Sequence, residues 1–434
     1  MTKQIQSIIV RNMKRLNRLA ATVATVAMVL VAQAAPNQGD WTQFRGTTGQ
    51  GLSAAKNLPI EWSAAKNVAW KQAIPGLGWS SPVVRRGRIF LTTAETDGEG
   101  GPSLRALCLD AATGRVLWNT EVFKSTETQA KPMNGKNSHA SPTPVLEDSR
   151  LYVHFGHNGT ACLDLDGKIV WRMNSLRYPP THGNGGSPIL VGDKLVYCAD
   201  AASDPSIVAL DKATGKVRWK VKRETQAKNK FSFSTPLLIT VKGQPQIISP
   251  GSGVVSALDP KDGHEIWRVC YGNGYSVVPR PVFGQGLVFI STGFNRADIL
   301  AIRPDGRGDV TDTHVAWRTT KGAPLTPSML LVGKELYAVS DDGLASCFDA
   351  KTGKVNWQER LGGKYSASPL AAGGRIYLQN ESGTGTVLKP GKTFTTLATN
   401  SLEERSLASY AVVDGALFIR TAENLYRIAT APSQ

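Results

Sequence analysis

The chain has 434 residues, with 50 Lys and Arg against 34 Asp and Glu for a formal charge of +16. Length alone would allow two or three domains. No stretch beyond the N-terminus keeps a helical period, which excludes a helical bundle.

The chain opens with Arg11, Lys14, Arg15 and Arg18, an apolar run over 19–31, and then Ala32-Gln33-Ala34. That is the order of a secretory signal, cleaved before Ala35, with Met1 or Met13 as the start. Thirteen apolar residues fall short of the roughly 20 that an uncleaved anchor requires. No Cys follows the run, so secretion across the inner membrane to the periplasm or exterior is expected, without a lipid anchor or a later transmembrane segment. Residues 1–34 hold five cations and no acid, which leaves about +11 on the mature chain. This balance favours an envelope protein or an anionic envelope component as partner. Nucleic acid is not expected outside the cytoplasm.

A leader over 35–66 precedes the patterned region. From there, seven of the ten tryptophans (Trp70, Trp118, Trp171, Trp219, Trp267, Trp317 and Trp357) follow at intervals of 48, 53, 48, 48, 50 and 40 residues. A phrase runs ahead of most of them: small residue, apolar residue, Asp, two variable residues, Thr or Asp, Gly, three residues, Trp. It reads Cys108-Leu109-Asp110-Ala111-Ala112-Thr113-Gly114 before Trp118, and it recurs before Trp219, Trp267 and Trp357. Periods of this length mark stacked supersecondary units. Within the unit ending at Trp219, short β-rich runs at 187–194, 195–199, 206–211 and 216–220 are broken by Gly, Asp and Pro, as in an antiparallel meander. Gly215 suits a tight turn with positive φ, and Asp211 and Thr214 can bond its amides. Four strands per repeat make one propeller blade.

A Ser/Thr-Pro pair opens most units, at Ser81, Ser141, Ser187, Thr235, Thr326 and Ser368; Arg280-Pro281 and Ser409-Tyr410 are degenerate copies. Eight openings predict eight blades over 67–429, followed by a tail at 430–434. One closing strand, at 393–398, lacks Trp. The strand 67–71 has no partners of its own and the last unit lacks a fourth strand, so the two should join and close the ring. The fold class is therefore all-β, an eight-bladed propeller, with the seven tryptophans packed between blades. Cys108, Cys162 and Cys347 fall where sister repeats place Ala, Cys198 on a second strand and Cys270 on a fourth, so five free, buried thiols are expected.

Residues just ahead of the first strands should surround one channel mouth, and several break the repeat: Trp79, His139, His182, Asn184, Phe233, Tyr275 and Arg280. Such a set could hold a planar anion or a partner's acidic loop, or simply plug the mouth. Between Ile302 and Trp317 the turn expands and carries Asp305, Asp309 and Asp312, but without calcium-loop spacing.

The repeated phrase and the Ser-Pro openings resemble the quinoprotein-type (PQQ-like) repeat, over nearly all of 67–428. The leader Trp41-Thr42-Gln43-Phe44-Arg45-Gly46 is similar to the start of non-catalytic secreted members. That family holds quinone-dependent dehydrogenases and non-catalytic propellers similar to BamB. The resemblance to the latter implies an envelope scaffold, with no catalytic residue, metal or cofactor, and a monomer. The alternative it implies is a dehydrogenase using PQQ and calcium, whose acidic calcium site and adjacent cysteines have no counterpart that can be carried over here. A hydrolase or lyase built on His139 and His182 would need an orienting Asp or Glu that the sequence does not reveal.

Overall fold

In a computed structural model the described residues are 40–96, 101–125, 133–295 and 297–430. The expected signal sequence and most of the tail lie outside them. Eight antiparallel sheets follow one another around a ring. The unit read in detail has its strands at Ile189–Val191, Lys194–Cys198, Ser206–Asp211 and Val217–Lys222. Numbering blades from the first complete sheet, the inner strands begin at Val83, Val145, Ile189, Leu237, Val282, Leu330, Leu370 and Ala411. The Trp-less outer strand of blade 7 is Thr396–Ser401, three residues beyond the stretch expected from sequence.

Ring closure follows from strand arithmetic. Val68–Ala73 pairs antiparallel with Asn424–Ile428, so the head of the propeller supplies the outermost strand of blade 8. Glu404 tightens this joint by accepting hydrogen bonds from Lys71, Thr421, Asn424 and Tyr426.

The repeated phrase has a physical reason at each position. Its small residue faces Trp across the third and fourth strands: Cys108 with Trp118, Cys162 with Trp171, Ala209 with Trp219, and Cys347 with Trp357. A larger side chain there would push the indole off the sheet. Asp211 Oδ1 accepts from the amides of Ala213 and Thr214 and from Thr214 Oγ1, which holds the turn. The turn glycine receives the tryptophan of the preceding blade. A Cβ on Gly215 would lie 2.5 Å from the Trp171 ring, and one on Gly114 would lie 2.8 Å from Trp70. Each indole N–H then donates to that same turn, as in Trp171 to Lys212 O at 3.0 Å and Trp118 to Leu165 O at 2.9 Å. Trp70 does so across the closure, to Ala111 O at 3.1 Å.

Trp267 departs from this rule because its neighbour does. Where blade 5 should offer a tight turn, the insertion after Ile302 adds strand Gly308–Asp309, which pairs parallel with blade 4's outer strand. Trp267 is fully buried beneath it and donates to Gln246 Oε1 instead. The three aspartates thus belong to an edge cover: Asp309 caps Thr311, and Asp305 pairs with Lys242. Four cysteines are buried and unbridged, but Cys270 is exposed, because it ends an outermost strand.

Candidate functional site

Ahead of the inner strands runs a ring of hydroxyls that stitches blade to blade. Each backbone N–H donates to the hydroxyl one blade on: Ser81 to Thr143, Thr143 to Ser187 and Ser187 to Thr235. The series resumes from Arg280 to Ser328, Ser328 to Ser368, Ser368 to Ser409, and Ser409 back to Ser81. All seven distances fall between 2.9 and 3.0 Å. In blades 2 and 6 the ring residue is therefore Thr143 and Ser328, two residues beyond the Ser141 and Thr326 openings read from sequence. Both blades carry two candidate hydroxyls in tandem, and only the pairing separates them.

Three residues past the ring, the leader threads the hub. Trp41 pairs with Val84, Thr42 O accepts from Leu146 N, Gln50 Oε1 accepts from Phe283 N, and Gly51 O accepts from Ala371 N. Arg280, the one ring position without a hydroxyl, turns towards this thread. Its guanidinium donates to Phe44 O at 2.6 Å, Gln43 Oε1 at 2.9 Å and Pro236 O at 3.0 Å. Arg45 donates to Met329 O at 2.6 Å. Burial lowers both guanidiniums to about 9, with Arg280 adding to the effect on Arg45. The departure of Arg280 from its repeat thus serves the leader, and the residue does not face the mouth.

On the other side of the ring lies a cup of about 520 Å³. Phe44 of the leader contributes to its lining, and the residues two ahead of each ring position form its wall: Trp79, Ser141, Gly185, Phe233, Val278, Thr326, Ser366 and Leu407. Trp79 and Phe233 stand where the sequence placed them, and His182 joins them at the rim. His139, Asn184 and Tyr275 do not line the cup. Asn184 is buried against His157, 3.0 Å away. Tyr275 stands behind the wall, against Phe231 and Phe294. The two histidines required for a hydrolase therefore do not share the cup.

Sequence reasoning missed the cup's charged side. Lys136, on the stretch leading into blade 2, reaches the far side of the ring. Its ammonium lies 2.7 Å from Glu381 and 3.6 Å from Asp341. Gly135 O accepts from Arg405 at 2.6 Å, and the guanidinium of Arg405 covers Trp79 at 5.5 Å. At its near end, the His182 carbonyl accepts from Asn137 Nδ2 at 2.9 Å. Residues 134–137 therefore form a strap over the mouth. Burial alone would raise the Glu381 carboxyl, but hydrogen bonds from Lys136 and Ser366 hold it below its usual range. Asp341 is also committed: Oδ2 accepts from the amides of Leu325 and Thr326, and Oδ1 from Thr326 Oγ1. Lys364 pairs with Asp342. No signal in the sequence linked Lys136 to residues more than 200 positions away.

A quinone with a hard cation would need a free acidic set and free cations inside the cup. The ring hydroxyls are engaged by amides, and the rim acids and lysines by one another. Among the described residues no group of three His, Cys, Asp or Glu is arranged to hold a metal ion. The residues present do not fit that pair, and no step is derived through it. Nor is any helix among them long and apolar enough to cross a membrane.

A family model described as outer membrane protein assembly factor BamB matches residues 103–310 and 306–426. The protein of that name from Burkholderia pseudomallei is 25% identical over 354 residues, covering 80% of this chain and 71% of its own. A lanthanide-dependent methanol dehydrogenase from Methylorubrum extorquens is 33% identical over 152 residues, which are 32% of this chain and 24% of that enzyme. Among solved structures, BamB from Moraxella catarrhalis superposes with a TM-score of 0.59 at 13% identity, covering 83% of this chain and 97% of that one; this is a likeness of fold.

Proposed function

The chain belongs to the family of outer membrane protein assembly factor BamB, and from that premise we propose that it is a non-enzymatic recognition propeller of the cell envelope. It reaches that compartment by secretion, works without a lipid anchor as a monomer, and binds an envelope protein or an anionic envelope component. One observation carries this reading: every charged group placed at the cup is already spent on a neighbour. Lys136 is held by Glu381 and Asp341, Lys364 by Asp342, and Asp341 by two amides and a hydroxyl. Of the titratable side chains lining the cup only His182 is uncommitted, and the cup's carboxylates, held by other partners, do not orient it as general acid–base chemistry requires, whereas a surface that recognises a partner needs shape and a fixed field. The local identity to a methanol dehydrogenase motivates a second reading, a quinone-dependent dehydrogenase. Titration of the purified mature protein with PQQ plus calcium or a lanthanide, followed by tryptophan fluorescence and dye reduction with alcohols, separates the two. A flat titration without dye reduction is expected. Saturable quenching with alcohol-dependent reduction would replace the scaffold with the enzyme.

A further inference from the structure

Resting on that reading, we propose that the open half of the mouth docks an acidic segment of a partner protein, which inserts one aromatic side chain into the cup. The loops of blades 3 to 5 carry a continuous file of rings. His182 meets Phe231 at 5.4 Å, Phe231 meets Phe233 at 6.0 Å and Tyr275 at 5.6 Å, and Tyr275 meets Phe294 at 6.0 Å. Phe231, Tyr275 and Phe294 lie outside the repeated phrase, so blade packing does not require them. Phe294 is 51% exposed at the end of the file and lines the cup together with Phe233. A half-exposed ring beside a concave wall is the arrangement that receives an aromatic anchor.

The shape of the mouth directs the entry. Among the described residues the strap crosses from the His182 carbonyl to blades 6 to 8 through Lys136 and Gly135, and no such cover lies over blades 4 and 5. A cup of about 520 Å³ falls within the size of small-ligand pockets. Phe44, Trp79, Phe233, Val278, Phe294 and Leu407 line it, an apolar arc that suits an aromatic ring.

The sign of the partner follows from the charges. The loops carrying the aromatic file also carry Arg177, Lys228 and Lys230 against one unpaired acid, Glu224, and no ion pair among the described residues engages the three cations. The acids at the rim, by contrast, are held by Lys136 and Lys364. Carboxylates flanking the inserted ring would meet this net positive charge, and a basic segment would be repelled.

The test uses the mature protein and three fluorescein-labelled nine-residue peptides, monitored by anisotropy at low and moderate salt. The first has one central Phe flanked by Asp and Glu, the second replaces that Phe with Ser, and the third replaces the acids with Lys. The acidic Phe peptide should bind at least about tenfold more tightly than either control and weaken as salt rises. Phe294→Ser should remove the preference for Phe, and Lys230→Glu the preference for acids; both are surface changes, checked by unchanged circular dichroism melts. Equal binding of the three peptides, or unaltered preferences in both variants, would overturn the proposal. So would equally tight binding of the Phe-free acidic peptide, which would mark a plain polyanion surface. Because the quinone titration is independent, loss of peptide preference with a silent titration defeats this inference alone, and dye reduction defeats the function on which it rests.

Discussion

Replacing Gly215 with alanine tests the blade-docking joint with an internal control in the same blade. Gly215 has φ +73°, a region that costs a non-glycine residue about 1–2 kcal/mol. Its new Cβ would also lie 2.5 Å from Trp171 Cε3 and 2.9 Å from Cδ2. That indole has little room to retreat, since its Nε1 is held by Lys212 O at 3.0 Å and Tyr152 packs against it at 6.2 Å. Overpacking of this kind adds about 1–3 kcal/mol, for a combined loss of about 2–5 kcal/mol. Gly192 also has positive φ, at +60°, but a Cβ there meets nothing within 4 Å. Gly192→Ala should therefore cost only the conformational part, about 1–2 kcal/mol. A cooperative unit of this size unfolds with an entropy near 0.8 kcal/mol/K, so Gly215→Ala should lower the midpoint by roughly 3–6 °C and Gly192→Ala by about 1–3 °C. Differential scanning calorimetry on both variants decides the matter. Equal shifts would mean that the turn glycine is needed for its backbone alone, and the docking account would fail.

Three further outcomes follow from the same geometry. Burial would raise the Glu404 carboxyl, but its bonds from Lys71, Thr421, Tyr426 and Asn424 outweigh this and hold it at about 2. A depressed carboxyl contributes stability above its unfolded value near 4.5 and loses it as pH falls towards 2, so the melting midpoint should drop through that window. Glu404→Gln should flatten the drop, and parallel pH profiles would contradict the role given to this joint. Arg223 and Asp200 form a fully buried ion pair at 3.0 Å, with Arg223 also donating to Ser249 O at 2.8 Å. Arg223→Leu, which strands the carboxylate, should cost about 3–5 kcal/mol by urea denaturation, and a loss below about 1 kcal/mol would refute the buried pairing. Ellman's reagent should titrate one thiol in the folded protein, Cys270, and five after unfolding; the buried Cys108, Cys162 and Cys198 are pushed up to about 12 by desolvation. Rapid reaction of two or more thiols in the native state would contradict the burial pattern.

The blades were legible because each satisfies the same packing requirement with the same letters. A small residue lies opposite Trp, Asp and Thr hold the turn, and Gly admits the next indole, so one repeat read correctly extends around the ring. Closure was legible too, from a strand without partners at one end and a gap at the other. The mouth was legible only in part. Trp79, Phe233 and His182 break the repeat and do face the cup, but Arg280 breaks it for the leader, whose contacts with residues more than 200 positions away no local pattern announces. The strap escaped notice for the same reason. Lys136 is an ordinary surface lysine in sequence, and its meaning comes from the width of the ring it crosses. The three aspartates after Ile302 drew attention as oxygen donors, although their segment's work is to cover the outer sheet edge of blade 4.

Recognition of an envelope partner at the mouth is most directly tested by capture. The mature protein and its Phe294→Ser variant are immobilised side by side and exposed to envelope extracts at two salt concentrations, and the retained proteins are compared. One component should be held by the unmodified chain at low salt, released as salt rises, and missing from the variant. Nothing retained at low salt, or the same component held equally by both, would contradict it.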